Sequence, residues 1–179
     1  MAAKGSEVQF ALFFAFFAYS ERNCLYGETM RFIADVMLGR LAKRMRLLGF
    51  DVLYDRTFDD NGIIRLSLEQ SRVILTRDTE LVRRPMAANH TFIKHDAVDD
   101  QIRQILDTFM IQSGTGPLTR CSRCNEPLRP LSRRDARNRV PQYVYERYDD
   151  FLNCAKCERT YWRGTHVRRM GLTSLTRKQ

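Results

Sequence analysis

The chain has 179 residues, 44 % of them hydrophobic and eleven of them phenylalanine, with 30 basic against 21 acidic side chains for a formal net charge of +9. That is enough apolar material for one compact domain plus a small stapled one, so a chain without a core is excluded. No apolar run reaches the roughly 20 residues of a membrane-spanning helix, and no Gly-Lys-Ser/Thr triplet follows a glycine loop, which excludes a P-loop.

The first segment, residues 1–29, carries a net charge of −1 and an apolar stretch from Val8 to Tyr19. Lys4 ahead of it and Ala18-Tyr19-Ser20 behind it fit a signal peptide. Against secretion stand paired cysteines further on, which as metal ligands need reduced thiols and so favour a cytoplasmic setting. Patterned structure starts only at Met30, so residues 1–29 are read as an extension outside the domain. Cys24, unpaired, receives no role.

Residues 30–112 hold 13 basic and 12 acidic side chains and alternate between strand and helix patterns. Arg31–Ala34 reads as a strand ending at Asp35. A helix follows from about Leu38 to Leu48, with Leu38, Leu41, Ala42, Met45 and Leu48 on one face and Gly49 as its cap. Asp51–Tyr54 is a second strand ending at Asp55. Asp60–Gln70 is a helix with Ile63, Ile64, Leu66 and Leu68 facing inward. Arg72–Thr76 is a third strand, a short helix holds Leu81 and Val82, and Thr91–Lys94 is a fourth strand. Val98–Met110 is the last helix, with Asp96 as its cap and Asp99 and Asp100 in its first turn. Short connections between such elements predict a parallel sheet wrapped by helices.

In a parallel sheet, ligands collect outside the carboxyl ends of the strands. Asp35 and Asp78 each follow a buried strand there, and Asp55, Asp59 and Asp60 lie near the end of the second strand. Carboxylates converging at one edge repel unless a cation sits among them, and Mg²⁺ or Mn²⁺ prefers such hard oxygen ligands. Taken singly, each acid also reads as a helix cap or turn residue. Ser67 and Thr76 could orient a water, though nothing in the sequence selects them. Arg40, Lys43 and Arg44 follow Asp35 on the first helix, where Arg40 and Arg44 share a side and could hold phosphates or simply face solvent. Arg77 could contact a phosphate or pair with an acid. Of the three histidines, His90, His95 and His166, His95 reads as local structure rather than a general base, and His166, in a basic stretch, could contact RNA or pack on the ribbon.

Gly114, Gly116 and Pro117 mark a linker into residues 113–179, which hold 15 basic and 6 acidic side chains and so the whole of the +9 excess. Charge gathered on one module is the footprint of a polyanion. Aromatic residues interleave with it, Trp162 among them, and Arg133, Arg134 and Arg137 form its densest run, read as a solvated loop or a phosphate-tracking surface. Cys121-Cys124 and Cys154-Cys157 form two CxxC pairs with 29 residues between them. Two such pairs on tight turns supply the four thiolates of a closed tetrahedral zinc site, against the alternative of disulfides or core thiols.

Several runs together resemble one family. Phe32 to Arg44 with Leu47-Leu48-Gly49-Phe50-Asp51, then Ile74-Leu75-Thr76-Arg77-Asp78, the paired CxxC motifs and Tyr161-Trp162-Arg163-Gly164-Thr165-His166 are similar, in order over about residues 30–170, to the Mut-seven C-terminal RNase domain. That family joins a PIN-like nuclease domain, here residues 30–112, to a C-terminal zinc ribbon, here 113–179. By residue match the resemblance implies that Asp35 and Asp78 are metal-binding catalytic acids and Asp60 the third, with Asp59 beside it a further ligand. The expected function is metal-dependent hydrolysis of RNA, with Mg²⁺ or Mn²⁺ at the acids and structural zinc at the cysteines. The alternative is a non-catalytic RNA- or DNA-binding protein on the same fold, and a phosphatase is a weaker third. Neither a protein partner nor a membrane is indicated.

Overall fold

The computed structural model describes residues 30–111 and 116–164. The first sheet contains β1 (Arg31–Ala34), β2 (Asp51–Leu53), β3 (Val73–Thr76) and β4 (His90–Phe92). All pairings are parallel and the spatial order is β2-β1-β3-β4. Every residue of β3 is buried, which is why it reads as an unbroken apolar run rather than an alternating one.

Helix α1 (Gly39–Leu47), entered through a 3₁₀ turn at Val36–Leu38, joins β1 to β2. Helix α2 (Asp60–Gln70) carries the chain back past β1 to β3. The two crossovers run in opposite directions along the sheet, so right-handed connections place α1 and α2 on opposite faces. Beyond β3 come α3 (Thr79–Val82), a 3₁₀ turn at Pro85–Ala87, β4, and α4 (Val98–Thr108), which packs beside α1. The predicted face of α1 is the buried one, with Leu38, Leu41, Ala42, Met45 and Leu48 all at most 3 % exposed. Each such side chain contributes about 1.5–3 kcal/mol on burial. Gly49 takes φ 97°, the left-handed conformation that ends the helix.

Three expectations change. Leu68 is 53 % exposed: the inward line of α2 runs through Ile63 and Ser67, and Leu68 lies one turn beyond Ile64 on the outer side. Asp96 does not cap α4, whose N-cap is Ala97 without a side-chain bond; it pairs instead with Arg77 at 2.6 Å. The fourth strand sits one to two residues earlier than its sequence pattern suggests.

The C-terminal module is an antiparallel sheet of β5 (Leu128–Leu131), β6 (Phe151–Cys154) and β7 (Thr160–Trp162), in that order. The stretch between β5 and β6 folds into two short helices, α5 (Arg133–Ala136) and α6 (Gln142–Arg147). Ser132 caps α5, accepting from the Asp135 backbone N–H at 3.1 Å. Ala136, Val144 and Phe151 form a small core under Leu131, Val140, Tyr145, Tyr148 and Trp162. Both sheets belong to a single compact unit that begins at Arg31.

Candidate acidic edge and cysteine cluster

Because β2 and β3 lie on opposite sides of β1, the strand order reverses between β1 and β3, and their carboxyl ends open the crevice where parallel sheets hold ligands. Asp35 directly follows β1, its backbone N–H donating to Leu75 O at 2.9 Å and so extending the β1–β3 ladder. Asp78 stands two residues past β3. One buried hydroxyl joins them: Thr76 Oγ1 donates to Asp35 Oδ2 at 2.9 Å and accepts from the Asp78 backbone N–H at 2.9 Å. Asp78 Oδ1 accepts from Glu80 N at 2.7 Å and Leu81 N at 3.4 Å, capping α3.

Asp35 is 5 % exposed, and among the described residues it forms no ion pair. A buried carboxylate normally carries a cationic partner or a metal. Its Oδ1, like Asp78 Oδ2, meets no protein donor among the described residues.

The neighbouring acids are more fully committed. Asp59 Oδ1 accepts from Gly62 N at 2.8 Å and caps α2. Gly62 suits this turn, since a Cβ there would lie 2.9 Å from Asp59 Oδ1. Asp60 pairs with Arg84 at 2.9 Å, while the same guanidinium donates to Asn61 Oδ1 at 2.8 Å. Asp55 Oδ1 accepts from Thr57 N and Oγ1 at 2.9 and 2.8 Å, and these bonds hold its carboxyl below the usual range. Among the described residues no three acids bring their oxygens within 4.8 Å of one another. Thr76 therefore links the Asp35 carboxylate to the Asp78 backbone, while Asp60 and Asp59 engage Arg84 and Gly62 instead. Thr76 bonds Asp35 directly, whereas Ser67 donates to Arg72 O at 2.6 Å.

The basic candidates also divide. Arg40 and Lys43 are exposed and, among the described residues, form no ion pair. Arg44 reaches Asp99 at 3.4 Å, and Arg77 is taken by Asp96. Arg133 pairs with Asp149, donates to Tyr148 O at 3.1 Å and lies 4.5 Å over the Tyr145 ring, so it organises the insert. Arg134 and Arg137 are exposed without an ion pair among the described residues. Trp162 packs on the insert's core. His90 Nδ1 donates to Ala87 O at 2.7 Å and His95 is exposed, both local features. His166 and Cys24 lie outside the described residues.

The four cysteines converge. Sγ separations are 3.7 Å for Cys121–Cys124, 3.6 Å for Cys121–Cys157 and 3.8 Å for Cys124–Cys154. A tetrahedron with zinc–sulfur bonds of about 2.3 Å has edges of about 3.8 Å, whereas a disulfide needs about 2 Å. The thiols therefore fit a tetrahedral metal and not a pair of disulfides. Tyr161, which sequence reasoning passed over as a site residue, lies beside them, its hydroxyl 3.1 Å from Cys121 Sγ and accepting from Ser122 N at 3.2 Å. Burial opposes ionisation of Cys121, but hydrogen bonds from Tyr161 and nearby backbone N–H groups prevail and lower it to about 6. Burial and the neighbouring thiols push Cys124 and Cys154 upward.

A second missed residue is Arg46, 3 % exposed although it is a charged residue in the last turn of α1. Burial lowers its pKa, against the opposing pull of Cys121, Cys124 and Asp51. The only sequence signal was its place next to Met45 on the buried face.

A parallel four-stranded sheet with acids at its reversal point, continuous with a four-thiol module, defines an α/β domain bearing a cysteine cluster compatible with a zinc ribbon. The chain belongs to the Mut7-C RNAse domain family, whose model matches residues 30–173. No curated protein and no solved structure matches it. Membership points to a nuclease-type function on a nucleic acid substrate.

Proposed function

We propose that the chain is a divalent-metal-dependent ribonuclease with a PIN-like domain, using Asp35 and Asp78, with Asp60 as third acid, to hold Mg²⁺ or Mn²⁺. The observation that carries this is Asp35: buried, tied to Asp78 through Thr76, and lacking a cation among the described residues. Hard carboxylate oxygens at a sheet's reversal point suit such an ion. When bound, it supplies a nucleophilic water near neutral pH and offsets charge building on the phosphate.

The chain's own groups do the positioning. Thr76 fixes the Asp35 carboxylate, and the α3 cap fixes Asp78 with one oxygen turned to no other donor. Asp60 enters the site only when Arg84 releases it, which an RNA phosphate near Arg84 favours. Arg40 and Lys43, five and eight residues after Asp35, and Arg134 and Arg137 on the C-terminal module offer exposed cations for the RNA backbone. The four cysteines hold a structural zinc, which suits a reducing, cytoplasmic setting.

A second reading is a non-catalytic RNA-binding protein, favoured by the caps at Asp59 and Asp78 and by the Asp60–Arg84 pair. One assay separates the two. Single-stranded RNA is incubated with the protein under Mg²⁺ or Mn²⁺, and cleavage is expected to fall by about 100-fold or more in Asp35→Asn and Asp78→Asn. A wild-type protein that binds RNA yet leaves it intact with both ions establishes the second reading.

A further inference from the structure

Strand β2 lies at the edge of the sheet, where its outward backbone groups are normally a liability. At Val52 the cysteine module and Arg46 of α1 together satisfy them. Val52 N donates to Asn125 Oδ1 at 3.1 Å, and Arg46 Nε donates to Val52 O at 2.8 Å. Arg46 Nη1 turns the other way, donating to Arg123 O at 2.7 Å and Ser122 O at 3.2 Å, both inside the Cys121–Cys124 turn. Asn125, the residue after Cys124, holds φ 67° and donates through Nδ2 to Asp51 Oδ1 at 2.7 Å. Asp51 is also gripped by Arg72 at 2.6 Å and Arg120 at 3.3 Å. Leu118 N closes the seam on Leu47 O at 2.8 Å.

We propose that metal occupancy of the cysteine cluster and the geometry of the β2 edge are thermodynamically linked, with Arg46 and Asn125 as the positioning residues that join them. The proposal rests on the zinc reading of the four thiols. The Ser122 and Arg123 carbonyls face Arg46 only while the CxxC turn is closed. Four thiols within 4.8 Å of one another hold that turn as thiolates only around a cation. When the turn opens, a guanidinium that is 3 % exposed loses two of its acceptors, and Val52 N–H loses its partner. A buried guanidinium left with only the Val52 and Tyr54 carbonyls is destabilised, so the opening propagates into the seam. The link continues to the acids: Arg46 Nη2 donates to Tyr54 O at 3.4 Å, and the Tyr54 hydroxyl donates to Val36 O at 3.2 Å, next to Asp35. Linkage is reciprocal, so damage to the seam must weaken metal binding by the thiols.

The test uses the full chain, reduced, zinc-loaded and then stripped with a chelator, followed by metal content and by hydrogen exchange at the Val52 amide. The loaded protein is expected to hold one zinc, and stripping is expected to raise Val52 exchange by about tenfold or more. In the reverse direction, Asn125→Ala and Arg46→Met keep all four thiols and are expected to weaken zinc binding by about tenfold against a competing chromophoric chelator. Arg46→Lys is expected not to restore it, because one ammonium cannot serve carbonyls on both sides of the seam. A purely local packing role would lower stability and leave zinc affinity unchanged. Zinc affinity within about twofold of wild type in both variants, or a Val52 amide indifferent to stripping, overturns the proposal while leaving the zinc reading intact. A chain that takes up no zinc overturns both, and the metal content identifies that case.

Discussion

Neutralising Asp35 should stabilise the protein while removing its activity. The carboxylate is 5 % exposed, and among the described residues its only hydrogen-bond donor is Thr76 Oγ1 at 2.9 Å. An uncompensated buried charge costs about 3–5 kcal/mol, and one hydrogen bond to a charged group returns about 1.5–3 kcal/mol. The residual penalty of about 1–2 kcal/mol disappears in Asp35→Asn, whose amide oxygen still accepts from Thr76. In buffer without Mg²⁺ but with zinc retained, the variant should melt higher, by about 2–4 °C for each kcal/mol. Added Mg²⁺ should reverse the order. At 100 times its dissociation constant the ion adds about 2.7 kcal/mol to wild type and nothing to the variant. Thermal denaturation across a Mg²⁺ series reads both effects. The reasoning is refuted if Asp35→Asn is the less stable protein without Mg²⁺, or if the ion stabilises both equally.

Asp78→Asn keeps a capping oxygen for Glu80 N and Leu81 N, so its stability should stay within about 0.5 kcal/mol of wild type, whereas Asp78→Ala should lose about 1 kcal/mol in urea denaturation. Asp60→Asn should reduce cleavage less than either neighbour's change, because Arg84 already neutralises that carboxylate; equal losses in initial rate would place Asp60 fully in the site. Burial raises the Asp51 pKa, but hydrogen bonds from Arg72 and Asn125 and the charges of Arg72 and Arg120 outweigh it and hold the folded value below the usual range. A depressed carboxyl contributes its stability above the unfolded pKa of about 3.9 and loses it as pH falls through the folded value. The gap in urea midpoint between wild type and Asp51→Asn should therefore be full at pH 5 and close below about pH 4; a gap independent of pH would exclude this linkage. Gly39→Ala sets propensity against packing: alanine favours the helix by about 0.5–1 kcal/mol, but its Cβ would lie 2.4 Å from the Tyr54 hydroxyl. Net destabilisation of about 1–3 kcal/mol is expected, and a neutral or stabilised variant in denaturant titration would show that Tyr54 yields without loss.

What the sequence made legible is what depends on local pattern. The unbroken apolar run Val73–Thr76 and the 3.6-residue periodicity through Leu41, Ala42 and Met45 each had a single physical reading. The CxxC pairs needed only their spacing, because two tight turns impose most of a tetrahedron. Adjacent acids carry no such constraint: whether Asp59 or Asp60 caps α2 depends on where the chain turns, and whether Asp60 is paired depends on Arg84, 24 residues on. Helices α5 and α6, of 4 and 6 residues, are too short for periodicity to register. Arg46 was the least legible. An arginine in the last turn of a helix reads as solvated, and its burial follows from carbonyls of Ser122 and Arg123, 76 and 77 residues away.

Those same carbonyls give α1 a second role. Its first turn begins four residues after Asp35, at Gly39, where only the missing Cβ lets the Tyr54 hydroxyl approach Val36 O. Its last turn carries Arg46 and Leu47, which engage the Cys121–Cys124 turn and Leu118. Nine residues at about 1.5 Å each make a strut of about 14 Å between the acidic edge and the seam. A helix this short, buried along Leu41, Ala42 and Met45, cannot bend to absorb a displacement at one end. On the proposed linkage, a movement of the cysteine module would reach the Asp35 side by translation of α1 as well as through Tyr54. On the proposed assignments, hard oxygens at one end and soft thiolates at the other would select different metals, so the two sites would be coupled mechanically without competing for one ion.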